Sequence, residues 1–293
     1  LKTLTGKTYV ERVVIKAIKH NIAIYAIHTA LDNAIQGVND AICKRLELTN
    51  TSILMPQNET IKKLTTYVPI AEAEQIRNVL FNKGAGNIGN YSHCSFNVEG
   101  YGTYKGNAES SPTKGEKGTM HTEPETKITI TYAKHLEAKI LKTLFKHHSY
   151  EEVAFEIITL ENKNQNIGMG MVGELKKPMK EVQFLNYLKT KMKTGFIKHS
   201  ALLNREIKNI AVLGGSGSFA IQAAKNADAD VFITADLKYH DFFSAEKNML
   251  LIDIGHYESE QFTKNLLVAH LTKKITNFAI ILSSIDTNPV KYY

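Results

Sequence analysis

Two short stretches bring a histidine and a carboxylate together at a spacing that chemistry can use. His256 and Glu260 stand four residues apart in Gly255-His256-Tyr257-Glu258-Ser259-Glu260, after the largely apolar run from Met249 to Ile254. That run reads as a buried strand, and the residues from Ser259 onward read as a helix. An imidazole and a carboxylate on one face at a strand's carboxyl end can hold a divalent cation. The competing reading is a capped helix start, with Ser259 as N-cap and Glu258 and Glu260 favoured by the helix dipole. His28 and Asp32 repeat the spacing after a second apolar run, Ile22 to Ile27, with Gly37-Val38-Asn39-Asp40 leading into a helix through Leu46. Ligands of open α/β sheets gather beyond the carboxyl ends of strands, so two such sets can build one site.

A third stretch, Gly214-Gly215-Ser216-Gly217, lies between a strand and a helix. Three readings stay open for it. Gly215-x-Gly217-x-x-Ala220, with Asp236 closing the next strand, fits a dinucleotide fingerprint and thus a nicotinamide- or flavin-dependent oxidoreductase. The same loop can cradle a substrate phosphate at a helix N-terminus, or simply make a tight turn. His93-Cys94 and His147-His148 lack the spacing of a structural zinc site.

The elements that must position these residues follow from periodicity. Tyr9 to His20 has helical spacing, and Ile22 to Ile27 reads as a strand buried on both faces. From Ile61 the character changes. Strands at Lys63–Pro69, Tyr91–Val98, Lys127–Tyr132 and Tyr150–Leu160 alternate with helices at Ala71–Lys83 and Ala133–His147, and a Gly/Ser/Pro-rich loop fills much of Glu99–Pro124. This is the ferredoxin-like β-α-β-β-α-β order. The main body then resumes with a return strand at 168–175, a helix from Pro178, and strands at Ile207–Leu213, Asp230–Asp236, Met249–Ile254 and Phe278–Ser283. The expected fold class is α/β, a largely parallel mixed sheet flanked by helices. Residues 1–60 and 162–293 would form the main domain and 61–161 an inserted one.

Of the 36 basic and 29 acidic residues, 12 of each fall between 60 and 162, so the flanks carry the whole net charge of +7. A basic surface suits phosphate-bearing ligands, and nucleic acid more weakly, because the lysine-rich stretch 176–198 reads first as a solvated helix face. No apolar window is long enough for a membrane span. Two cysteines, Cys43 and Cys94, give no disulfide framework and fit a reducing cytoplasm. The start Leu1-Lys2-Thr3-Leu4 has neither a Met nor a signal-peptide pattern and is expected to lie part-way through a natural protein.

Taken together, these residues resemble a known family. His28-Thr29-Ala30-Leu31-Asp32 with Gly37-Val38-Asn39-Asp40, the glycine loop, Thr234-Ala235-Asp236-Leu237-Lys238-Tyr239-His240, and Gly255-His256-Tyr257-x-Ser259-Glu260 are similar to motifs of the NGG-interacting-factor-three-like proteins. These dinuclear-metal-centre proteins often carry the label GTP cyclohydrolase 1 type 2 homologue. Gly84-Ala85-Gly86-x-Ile88-Gly89-Asn90-Tyr91 and Tyr150-Glu151-Glu152-Val153-Ala154 resemble the PII-like insertion of its longer bacterial members. The resemblance implies a toroidal homohexamer, a trimer of dimers, with two divalent ions (iron, manganese or zinc) held by Asp32, His256 and Glu260, the last as bridge. His28 would be a further ligand or a proton carrier, and Asp236 or His240 would move protons. The family's His-His-Pro motif would lie upstream of Leu1. The implied activity is metal-dependent hydrolysis of a nucleotide-like or phosphate-bearing substrate in the cytoplasm; a regulatory or nucleic-acid-associated ring protein is the alternative.

Overall fold

The computed structural model describes residues 3–291; Leu1 and Lys2, part of the N-terminal stretch considered above, lie outside the described residues. The chain opens with three helices, α1 (Tyr9–Lys19), α2 (Thr29–Asp32) and α3 (Val38–Arg45), then β1 (Thr49–Gln57). A middle block follows: β2 (Ile61–Pro69), α4 (Ala73–Phe81), β3 (Phe96–Lys105), β4 (Met120–Ala133), α5 (Glu137–His147) and β5 (Phe155–Leu160). The chain returns through β6 (Asn164–Lys180), α6 (Glu181–Met192), β7 (Lys198–His199), β8 (Glu206–Ser216), α7 (Ile221–Asn226) and β9 (Val231–Ala235). It closes with β10 (Leu250–Asp253), α8 (His256–Glu260) and α9 (Thr263–Lys274).

Strands β8, β9 and β10 are apolar on both faces because helices cover both. Ile210, Val212, Val231, Ile233, Leu250 and Ile252 pack with Val38 and Ile42 of α3 and with Phe184, Leu188 and Met192 of α6. Their neighbours Ala211, Leu213, Phe232 and Leu251 face the other way, onto Ile221 and Ala224 of α7. This period of two is the strand geometry itself. The sheet order is β1-β6-β8-β9-β10-β7. Pairs β8–β9 and β9–β10 are parallel, whereas β1–β6, β6–β8 and β10–β7 are antiparallel. The sheet is mixed, as expected, but with two parallel pairs against three antiparallel ones it is not largely parallel. The chain leaves the sheet along β1 and comes back along β6, and an out-and-back excursion makes its two arms antiparallel.

The excursion itself is a four-stranded antiparallel sheet of order β3-β4-β2-β5, the split β-α-β-β-α-β arrangement. Helices α4 and α5 cover one face through Ile76, Leu80, Ile140 and Leu144, which meet Leu64, Val68, Ile128 and Ile130. At its rim, Lys62 Nζ lies 2.5 Å from Glu137 Oε2, which also accepts the Tyr132 hydroxyl at 3.2 Å. The lysine, then the phenol, hold the Glu137 carboxyl below its ordinary range against a smaller cost of burial. A carboxylate lowered in the folded state adds stability above its ordinary value of 4.5, and that stability is lost as pH falls through the lowered value. Lys62→Met should therefore unfold at a lower temperature than wild type at pH 7, with the gap closing towards strongly acid pH in melts followed by circular dichroism.

Two expected strands are absent. Residues 22–27 and 278–283 adopt no regular structure, and Tyr25 and Ile281 are 88% and 86% exposed. A strand has no hydrogen bonds of its own and forms only against a neighbour; among the described residues neither segment meets one. Conversely, β1 and the two-residue β7 were not expected from the sequence. The helix expected from Ser259 begins three residues earlier, at His256, and breaks before Thr263.

Candidate metal centre

The carboxyl ends of β8, β9 and β10 converge on one place, and a buried carboxylate ties two of them together. Asp253 is 1% exposed; its Oδ2 accepts the Leu237 amide at 3.0 Å and its Oδ1 the Gly255 amide at 2.9 Å. Lys198 Nζ, 2.6 Å from Oδ2, balances the charge. Asp253 thus fixes the turn after β9, which carries Asp236, against the turn after β10, which carries His256. Buried charge persists only with such partners.

His256 then meets Asp236: Nδ1 and Oδ2 are 2.7 Å apart, while Nε2 faces Glu260 Oε2 at 3.6 Å. Burial alone would lower the imidazole pKa, but the hydrogen bond to Asp236 and the charges of Glu260, Asp236 and Asp32 outweigh it and raise it. Glu260 is raised chiefly by burial, with Asp32 and Asp236 adding to the rise and His256 and His28 opposing it. Asp32 is raised by burial against the pull of His28 and His256. The structure therefore brings His28, Asp32, Asp236, His256 and Glu260 into one electrostatic cluster. His240 is not drawn in: its ring stacks on Phe243 and abuts Tyr239, and it makes no hydrogen bond to the cluster among the described residues.

Glycines at the carboxyl end of β8 let the helices come this close. Gly215 has φ +73°, and a Cβ there would lie 2.6 Å from Glu260 Oε1. The Gly215 amide donates to Ser259 Oγ at 2.9 Å, and Ser259 Oγ donates to the His256 carbonyl at 2.8 Å. Ser259 thus links the loop to α8, and the cap reading for it is corrected: the N-cap is Gly255, φ +92°. The Gly214 amide donates to Asn39 Oδ1 at 2.9 Å, and Asn39 Nδ2 donates to the Asp32 carbonyl at 3.1 Å. Asn39, buried to 2%, so couples the loop to the Asp32 end of the cluster. Asn39, Asp253 and Ser259 were not singled out from sequence for these roles; a polar residue embedded in an apolar run, as Asp253 is, was the available signal. Two members sit in unusual backbone regions, Asp236 at φ +57° and His28 at φ +38°, as strained residues at functional sites often do.

The donor chemistry suits a divalent cation. Neither the Asp32 nor the Glu260 carboxylate accepts a hydrogen bond from a described residue, and both are partly buried. His256 keeps Nε2 for a ligand while Asp236 holds Nδ1, the carboxylate–histidine arrangement seen behind metals. As placed, no three His, Cys, Asp or Glu side chains among the described residues form a complete metal-holding group. Asp32, His256 and Glu260 are thus a partial donor set of the right type. The other candidates are engaged elsewhere: His93 packs on Phe81, and His148 Nε2 donates to the Tyr67 carbonyl while Nδ1 accepts the Tyr150 amide.

Beside the cluster lies a cavity of about 950 Å³ bounded by Asp236, His256 and Glu260, with Lys198 and Lys264 on its wall and the C-terminal stretch around Ser283–Val290 across it. Lys264 Nζ donates to the Ser283 carbonyl at 3.1 Å and Asn288 Nδ2 to Glu258 Oε1 at 3.1 Å, which hold that stretch in place. No described helix is long and apolar enough to cross a membrane.

Comparison with known proteins agrees with these motifs. The family model DUF34/NIF3 (NGG1p interacting factor 3) matches residues 1–289. A Bacillus subtilis protein named GTP cyclohydrolase 1 type 2 homolog is 35% identical over 302 residues, covering 100% of this chain and 80% of the relative. A Listeria innocua protein of the same name is 36% identical, covering 94% of this chain and 76% of the relative. Among solved structures, a Bacillus cereus protein related to NIF3 superposes with a TM-score of 0.84 at 34% identity, covering 100% of this chain and 80% of that one. Staphylococcus aureus protein SA1388 gives 0.73 at 28%, covering 100% and 78%.

Proposed function

Because the chain belongs to the DUF34/NIF3 family, we propose that it is a metal-dependent hydrolase acting on a nucleotide-like or otherwise phosphate-bearing substrate. The observation that carries the reading is the Asp236–His256–Glu260 arrangement with Asp32 within its electrostatic reach. Asp32, His256 and Glu260 would hold two divalent ions, iron, manganese or zinc, together with ligands from outside the described residues. Such ions supply Lewis acidity that brings the pKa of a water close to neutrality. Asp236 fixes the His256 tautomer and orientation, and His28, whose charge opposes the pKa rise at both Asp32 and Glu260, would be the proton carrier. Lys198, paired with Asp253, and Lys264 are the lysines of the adjoining cavity that a phosphate could meet, among four carboxylates whose charge bound ions would offset. The amides of Gly214 and Gly215 are committed within the protein and Gly217 is buried, so Ser216 is the exposed part of this stretch that a phosphate could approach.

The same proposal includes a ring hexamer and a PII-like nature for the middle block. Exposed Val13, Tyr25, Phe278 and Ile281 are apolar surface that a neighbouring copy would cover. Light scattering that finds a monomer at micromolar concentration would count against the ring.

The test of the activity is anaerobic reconstitution of the full-length protein with Fe(II), Mn(II) and Zn(II), followed by metal analysis and a nucleotide panel. Less than one ion per chain, or hydrolysis that survives chelation, would sink the reading. Asp236→Asn should weaken metal binding by about 10–100-fold, the usual cost of an outer-shell partner. It should also let the His256 pKa fall towards its ordinary 6.5. Because the proton and the ion compete for His256, the pH at which wild-type affinity falls off should lie higher than in Asp236→Asn. Affinity titrations between pH 6 and pH 8.5 decide it.

A further inference from the structure

The middle block has a second cavity, of about 900 Å³, on the face of its sheet that α4 and α5 leave uncovered. On that face β4 presents Glu123, Glu125 and Lys127 while its alternate residues Ile128 and Ile130 face the helices. Glu125 is 8% exposed. Its Oε1 accepts the Tyr150 hydroxyl at 2.7 Å, and no described donor reaches Oε2. Room for that carboxylate comes from β3: a Cβ on Gly102 would stand 2.1 Å from Glu125 Oε2. Tyr104 and Tyr150 meet edge to face at 6.3 Å, and His148, bonded to the Tyr67 carbonyl and the Tyr150 amide, fixes the backbone behind two of the rings.

The charge of the wall is one-sided. Glu99, Glu109, Glu125, Glu151 and Glu152 line the cavity against two lysines, Lys105 and Lys127, and Lys127 lies over the Tyr67 ring at 5.9 Å. Burial and the adjacent Glu125 hold the Tyr150 phenol above its ordinary range, so it stays a donor to the carboxylate at neutral pH. A half-satisfied buried carboxylate, tyrosine faces and a negative rim are complementary to a positive charge on a carbon frame.

We propose that this cavity binds a small organic cation of the amine or guanidine class, its N–H groups donating to Glu125 and its carbon frame lying against Tyr104 and Tyr150. The site stands apart from the proposed metal centre and does not depend on it.

Calorimetric titration of the full-length protein with agmatine, which carries both a guanidine and an amine, tests this, with adipate as the anionic counterpart. Agmatine is expected to bind with a Kd between about 1 µM and 1 mM, and adipate not at all. Glu125→Gln should weaken agmatine at least about tenfold, the worth of a hydrogen bond to a charged group. Gly100 lies opposite Glu125 on β3, and a Cβ there meets nothing within 4 Å. Gly100→Leu should therefore fold normally and close the cavity, abolishing the heat even if Glu125→Gln proves unstable. Absence of agmatine binding to the wild type, equal binding of adipate, or unchanged affinity in folded Gly100→Leu would each overturn the proposal.

Discussion

Glu260→Ala is expected to remove metal binding, by well over the roughly 10–100-fold that an outer-shell partner costs, without unfolding the protein. Glu260 is raised in pKa chiefly because burial and the neighbouring Asp32 and Asp236 disfavour its charge. A carboxylate raised in the folded state opposes folding once it ionises, so at pH 7 the metal-free variant should melt at or above the metal-free wild type. The difference should disappear as pH falls below the ordinary value of 4.5. Added metal should then stabilise the wild type and not the variant. Gly215→Ala supplies an independent route to the same loss. Its Cβ would stand 2.6 Å from Glu260 Oε1, and φ +73° adds about 1 kcal/mol of backbone strain. Metal affinity by chelator competition, with melting curves at pH 7 and pH 4, separates the outcomes. Unchanged affinity in Glu260→Ala would remove that residue from the donor set.

Much of this centre was legible because its residues obey local rules. The runs at 207–213, 230–236 and 249–254 are apolar on both faces, which matches strands covered on both sides, and the histidine–acid spacing survives as a real His256–Glu260 neighbourhood. The middle block was legible through the alternation at Lys127–Tyr132 and the spacing of Ile76, Leu80, Ile140 and Leu144. What escaped depends on partners distant in sequence. Strand β1 begins Thr-Asn-Thr-Ser and contains Pro56, an edge-strand composition that carries little signal until β6 lies beside it. The start of α8 at His256 follows from Gly255 at φ +92°, a backbone choice that pattern counting does not see. Residues 22–27 and 278–283 show the opposite limit: strand composition without a neighbouring ladder yields no strand.

Phe232→Ala should produce the largest loss of stability, about 3–5 kcal/mol. Phe232 is fully buried on β9, directly between Ala211 of β8 and Leu251 of β10, in a cluster with Ala220, Ile221, Ala224 and Met249. Its alanines cannot reach into the space, and the larger side chains are held in a close-packed layer and can relax into it only in part. The residue faces the α7 layer, while Val231 and Ile233 face α3 and α6, so one helix layer loses its filler and the other stays packed. The buried cluster of the middle block shares no residue with that of Phe232. Hydrogen exchange in Phe232→Ala should therefore accelerate in peptides spanning 206–253 and stay near wild type in those spanning 61–69 and 120–133. Acceleration of equal size in both sets would mean that the two sheets unfold as one unit. In that case the energetic separation inferred from their distinct cores would be wrong, although the cost of the substitution would stand.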